Sequence, residues 1–239
     1  VSDALAFALL AAAGNLLGAA AVARRAAASL RAIERLVAFG AGFMLSVAVV
    51  EVLPEAFTRS GAAAPSLVLA GYLAVHFSQH TVTPHFHFGE ETHTVSRVAG
   101  TSALVGLLLH TFFDGVAIAS GFLVEPALGL LLFCAILLHK LPEGVTIASV
   151  MLAAGRPARA GTLAAGLLGV ATVAGVLFTD RVGFLVTHGL ALSGGVTLYV
   201  AASNLVPEFQ GKRGWSLPAA FFAGAAAFYL TRELLHRVV

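Results

Sequence analysis

His110-Thr111-Phe112-Phe113-Asp114-Gly115-Val116-Ala117-Ile118-Ala119-Ser120 returns almost unchanged further along the chain as His139-Lys140-Leu141-Pro142-Glu143-Gly144-Val145-Thr146-Ile147-Ala148-Ser149. The shared phrase is H-x-x-x-[D/E]-G-V-x-I-A-S. On a helix, positions i and i+4 lie on one face, so each copy presents an imidazole beside a carboxylate. Both copies sit inside long apolar runs, about 98–122 and 127–153, each long enough for the ~20 residues that a membrane span needs.

Working outward, the rest of the chain has the same character. Of its 239 residues, 59% are hydrophobic and 11% charged, with a mean hydropathy of +0.92. A soluble domain carries roughly 25% charged residues, so this chain belongs in lipid. Breaks at Pro, Gly and charge divide it into eight apolar stretches: 3–23, 36–57, 65–82, 98–122, 127–153, 160–179, 183–209 and 215–231. All are expected to be helices, because lipid cannot satisfy an open strand edge. The expected fold is one all-α transmembrane domain over 1–239.

Arg24, Arg25, Arg31, Arg35, Arg97, Arg156, Arg159, Lys212 and Arg213 gather after the odd-numbered spans, while Arg59, Arg181, Arg232 and Arg237 lie on the other side. By the positive-inside rule both termini are expected outside, and the plasma (inner) membrane is the expected location. No cleavable signal pattern with a basic leader follows Val1. A formal charge of +2 with dispersed basic residues excludes nucleic acid as a partner. Cys134 is the only cysteine, which excludes an intrachain disulfide and a cysteine-rich metal site.

A carboxylate at mid-membrane costs at least ~2.5–3.5 kcal/mol, and two histidine–carboxylate pairs need something to offset it. A bound cation does so. Imidazole nitrogen with carboxylate oxygen suits zinc, and iron, manganese and cobalt as well. Such a mixed site releases its ion more readily than a thiolate cage and exchanges protons with it. Pro142 adds a local irregularity, since it lacks an amide donor and frees the carbonyl of Leu138 one turn back. The loop between the third and fourth spans, 80–95, holds His80, His85, His87 and His93 with two glutamates. It reads either as a metal-capture patch or as a polar connector.

A second echo relates Glu51-Val52-Leu53-Pro54-Glu55 to Asn204-Leu205-Val206-Pro207-Glu208. These phrases fall in the second and seventh spans, which run in opposite directions. That is the signature of an inverted repeat, here spans 1–3 against 6–8 around spans 4 and 5.

These motifs resemble the ZIP family (Zrt/Irt-like proteins) of metal transporters, and the resemblance runs over essentially the whole chain. It implies carriage of zinc, and in some members iron, manganese or cadmium, toward the cytoplasm. No resident cofactor is implied; the metal is the substrate. Carried over by motif position, the ligands are His110, Asp114, His139 and Glu143. Met44 resembles a second-span methionine that lines the site, and Glu51 a polar residue near the outer entrance. Some relatives hold two ions, using an asparagine, an acid and a glutamate where this chain has Thr111, Lys140 and Thr172. Lys140 then puts an ammonium where a second cation would sit, and a single-ion site is expected. The lipid bilayer and a homodimer are the other expected partners. The residues alone also leave open a membrane-embedded metal-dependent hydrolase or oxidase, although no H-E-x-x-H phrase is present, and a metal-sensing receptor.

Overall fold

A computed structural model describes residues 2–24, 30–81, 97–210 and 212–238. Every regular element among them is helical: α1 (Ser2–Ala23), α2 (Leu30–Val47), α3 (Leu53–Ser60), α4 (Ala64–Thr81), α5 (Arg97–Val124), α6 (Pro126–Ala153), α7 (Ala158–Thr179), α8 (Gly183–Tyr199), α9 (Pro207–Gln210) and α10 (Ser216–Val238). Six stretches are long and apolar enough to cross a membrane: Asp3–Ala23, Glu34–Gln79, Ala103–Val124, Pro126–Ala153, Ala158–Thr179 and Gly183–Leu205. The chain is a multi-pass helical membrane protein. Large side chains such as Leu163, Val170 and Leu230 stay on its outside, as expected where the solvent is hydrocarbon.

The stretch Glu34–Gln79 spans 46 residues, about twice what one crossing needs. It is interrupted at Gly61, whose φ of +52° is a conformation that favours glycine. α2 passes into α3 through a π-helical turn, Ala48–Val52, and α8 passes toward α9 through another, Val200–Leu205. Both wide turns end just before a proline. The amide of Leu53 reaches the carbonyl of Ala48 ahead of Pro54, and that of Val206 reaches Ala201 at 3.1 Å ahead of Pro207. A proline ring clashes with the carbonyl four residues back, and reaching five residues back is how a π-turn relieves that conflict. The two echoed phrases thus share one local distortion.

Four helix pairs cross at backbone contact through reciprocal glycines. A Cβ on Gly18 would strike the carbonyl of Leu141, and one on Gly144 that of Asn15 (α1 with α6). The same relation holds for Gly42 with Phe221 and Gly224 with Phe39 (α2 with α10). It recurs for Gly71 with Leu192 and Gly195 with Val68 (α4 with α8), and for Gly115 with Thr172 and Gly175 with Phe112 (α5 with α7). Close approach through small residues is how helices associate without a hydrophobic driving force between them.

The structure departs from expectation at one loop position and at one helix end. α4 continues to Thr81, so the backbone at His80 is helical and not loop; His85, His87 and His93 lie outside the described residues. α10 runs to Val238, seven residues past the expected end at 231. The charges that begin at Arg232 do not stop it, because Arg237 pairs with Glu233 one turn back at 2.8 Å, which supports a helix end exposed to water.

Candidate metal centre

α5 and α6 each carry their histidine and carboxylate one turn apart, and the two faces meet. His110, Asp114, His139 and Glu143 offer ligand atoms that all lie within 4.8 Å of one another, and all four residues are buried. The imidazole rings stand 5.4 Å apart. Asp114 Oδ2 is the hub, 3.5 Å from His110 Nε2 and 3.4 Å from His139 Nε2. Two ligands each about 2.1 Å from one tetrahedral ion stand about 3.4 Å apart, so this spacing fits a shared zinc-sized cation.

The ring of His139 is also oriented for the task. Its Nδ1 lies 3.2 Å from the carbonyl of Ala135. A carbonyl only accepts, so Nδ1 carries the proton and donates it, leaving the lone pair on Nε2 facing the centre. Holding a metal-binding imidazole by its second nitrogen fixes both tautomer and direction.

The same carboxylates hold a cation of the chain's own. Lys140, wholly buried, places Nζ 2.6 Å from Asp114 Oδ2 and 2.7 Å from Glu143 Oε2. Thr111 donates its hydroxyl to Glu143 Oε1 at 2.6 Å. The sequence placed the Lys140 ammonium beside the ligands, at a second ion's position. In the structure it bridges the two carboxylates of the quartet itself. Thr172 is buried on α7 and bonds its own helix, donating to the Leu168 carbonyl at 3.3 Å.

Met44 is buried in the main apolar cluster with Leu131, Leu132 and Ile136 of α6. Glu51 lies in the first π-turn and forms an ion pair with Arg232 of α10. Arg232 was read from sequence only as a charge on the outer side; its place on a helix that continues past the apolar run is what brings it to Glu51. His188 of α8 hydrogen-bonds Ser60 at 3.0 Å. His76 stacks edge-on against Tyr199. Asn15, which sequence reasoning passed over, is buried on α1 across from Gly144; a single asparagine in an apolar run carries no periodic signal.

The family profile described as ZIP zinc transporter matches residues 76–231, 156 of the 239 residues. Among curated relatives, zinc transporter ZIP13 of Pongo abelii is 28% identical over 74% of this chain and 58% of its own length. Zinc transporter ZIP13 of Rattus norvegicus is 32% identical over 47% of this chain and 33% of its own. The chain thus spans little more than half of the first relative and a third of the second. The profile covers well over half of the chain, including both histidine–carboxylate helices, and the chain belongs to the ZIP zinc transporter family.

Proposed function

We propose that the chain carries divalent transition-metal ions across the plasma (inner) membrane toward the cytoplasm by alternating access. Zinc is the first substrate, with iron, manganese and cadmium next. The carrying observation is the quartet His110, Asp114, His139 and Glu143, gathered within 4.8 Å inside a helix bundle, with Asp114 at the separation from both imidazoles that a shared tetrahedral ion needs. Both relatives are named zinc transporters, which favours carriage over a membrane hydrolase or oxidase.

The architecture behind this reading is eight spans with both termini outside, spans 1–3 and 6–8 being inverted copies around spans 4 and 5. Support comes from the glycine crossings: exchanging the two halves turns the α1–α6 crossing into α7–α5 and the α2–α10 crossing into α8–α4. Gly42 and Gly195 stand as far apart in sequence as Pro54 and Pro207, so crossing and π-turn repeat in register. Such repeats rock against each other around a fixed midplane site. At one end of the bundle Arg59 donates to the Leu123 carbonyl at 3.3 Å; at the other Lys212 pairs with Glu34 at 2.8 Å, on the side where the basic loops gather. A second copy of the chain and the bilayer are the proposed partners.

Lys140 favours a single ion. Two carboxylates against one ammonium give the metal-free site a formal charge of −1, which a divalent ion turns to +1. Without the lysine the swing runs from −2 to 0. The penalty for a net charge in a poorly solvated interior grows with its square, so Lys140 stabilises the metal-free carrier and weakens metal binding. A carrier must return after delivery, and that asymmetry serves it. Glu51 stands on the outer path to this site and Met44 beside it.

Zinc entry into liposomes containing the purified protein tests the reading. A saturable uptake that falls as external pH drops is expected, because metal displaces protons from histidine and carboxylate ligands. Uptake equal to that of protein-free liposomes, or metal-dependent turnover without flux, would overturn it.

A further inference from the structure

Asn15 lies in the middle of α1, fully buried. Neither its amide nitrogen nor its amide oxygen has a hydrogen-bond partner among the described residues. Burying an unpaired amide is unfavourable, and most native side chains avoid it. Its surroundings suggest why this one persists. A Cβ on Gly144 would run into the backbone of Asn15, and a Cβ on the preceding residue, Gly14, would stand 3.1 Å from Lys140 Cβ. Residues 140 and 144 share one face of α6. The middle of α1 therefore lies over the face from which the Lys140 stem springs.

The equivalent crossing of α5 with α7 makes an instructive contrast. There the residue in the place of Asn15 is Thr172, whose hydroxyl is satisfied within its own helix. The residue in the place of Lys140 is Thr111, which carries no charge. At these two matched positions, the unpaired side chain is the one whose helix lies against the stem of Lys140.

We infer that Asn15 is a positioning residue for Lys140, whose ammonium moves to the Asn15 amide oxygen when a divalent cation takes the carboxylates. This rests on the metal reading of the quartet. Glu143 has both oxygens engaged, one by Thr111 and one by Lys140, so an ion that binds there competes with these partners. A dication also repels an adjacent ammonium. The lysine keeps its proton throughout and exchanges one hydrogen-bond acceptor for another along its flexible four-carbon stem. A neutral amide oxygen suits the role, because it accepts an ammonium N–H yet does not draw it away from two carboxylates when no metal is present.

Zinc titration calorimetry on the purified protein, with melting of the metal-free form, tests this. Asn15→Leu keeps the volume and removes the oxygen, whereas Asn15→Ser keeps an oxygen and loses volume. The leucine variant should bind zinc about ten-fold more weakly, the effect of one hydrogen bond to a charged group, while melting no lower than wild type. The serine variant should recover most of the affinity. In a Lys140→Gln background, where no ammonium needs a second acceptor, the leucine effect should disappear. Wild-type affinity in Asn15→Leu, a larger loss in Asn15→Ser, or failure of both to fold would make the amide a packing group and overturn the inference. A leucine effect that survives Lys140→Gln would overturn it in favour of direct contact with the ion. Undiminished zinc binding by Asp114→Ala would remove the quartet reading, and this inference with it.

Discussion

Two of the chain's own cations rest on carboxylates of the proposed metal path, and they do so under opposite conditions. Lys140 bridges Asp114 and Glu143 with its side chain 0% exposed, while Arg232 meets Glu51 with 41% of its side chain exposed. At the rim, the Arg232 side chain remains within reach of water although the contacting atoms are covered and Glu51 is 16% exposed, and solvent-exposed pairs contribute about 0.2–1 kcal/mol. In the interior, nothing replaces a lost partner, and removing one member of a buried pair costs about 3–5 kcal/mol. The lesson is one of competition: an incoming ion displaces the rim cation easily, but displaces the inner one only by offering the carboxylates a better partner. In the proposed carrier the rim pair would then set how often an ion enters, and the inner pair whether it stays.

The comparison breaks at once if the inner carboxylate is dispensable. Asp114→Ala removes the oxygen that faces both imidazoles and the ammonium. Zinc uptake into proteoliposomes should fall by more than about a hundred-fold, beyond what the loss of a supporting group costs a metal site. Uptake within ten-fold of wild type would place the metal path elsewhere.

Next in size is the inner cation itself, where two readouts should move in opposite directions. Lys140→Met leaves two buried carboxylates without their counter-charge, so the metal-free protein should lose about 3–5 kcal/mol of stability. The same change should tighten zinc binding, since the ion no longer competes with an ammonium. Saturating zinc should therefore restore much of the lost melting temperature, a hundred-fold excess over Kd contributing about 2.7 kcal/mol. A variant that melts as wild type without metal would make the inner pair as slight as the rim one.

How much of this was legible in the sequence follows from where each signal lives. The quartet was readable because histidine and carboxylate recur at i,i+4 in two adjacent apolar runs, which is local information. Pro54 and Pro207 were visible as an echo, but the π-turns that accommodate them depend on how the helix resolves a steric conflict. Lys140 was seen as an intruding charge; its choice of acceptors depends on a side-chain direction that spacing does not give. Asn15 and Arg232 left no pattern at all, since each meets its surroundings across a helix crossing set by glycines far away in the chain. The histidine loop beyond Thr81 was legible only as composition, and His85, His87 and His93 lie outside the described residues.

A milder change sharpens the rim side of the comparison. Arg232→Ala frees Glu51 to attract cations, so the zinc concentration for half-maximal uptake should fall by less than about five-fold, the equivalent of 1 kcal/mol. The maximal rate and the melting temperature should not move. Glu51→Gln should shift the half-maximal concentration upward. Both effects should shrink at high ionic strength, where exposed charges beyond about 8–10 Å are screened. A change in maximal rate would give the rim pair a part in the conformational cycle itself.

The smallest effect is expected from the four histidines at the end of α4 and in the segment after it. In the proposed topology His80, His85, His87 and His93 belong to the cytoplasmic side, downstream of the quartet for an inward-moving ion. In the proposed carrier, imidazoles there would hold departing zinc and offer it to cytoplasmic acceptors, and would take no part in moving it through the bundle. Their influence is thus on local concentration, which matters when release limits turnover and vanishes when cytoplasmic chelation is strong. Replacing all four by serine should change uptake by less than about two-fold with a strong chelator inside the liposomes, well under the tenfold that each 1.4 kcal/mol of binding represents. A larger loss in folded protein would add a third resident competitor for the ion, and the contrast between rim and interior would no longer account for its path.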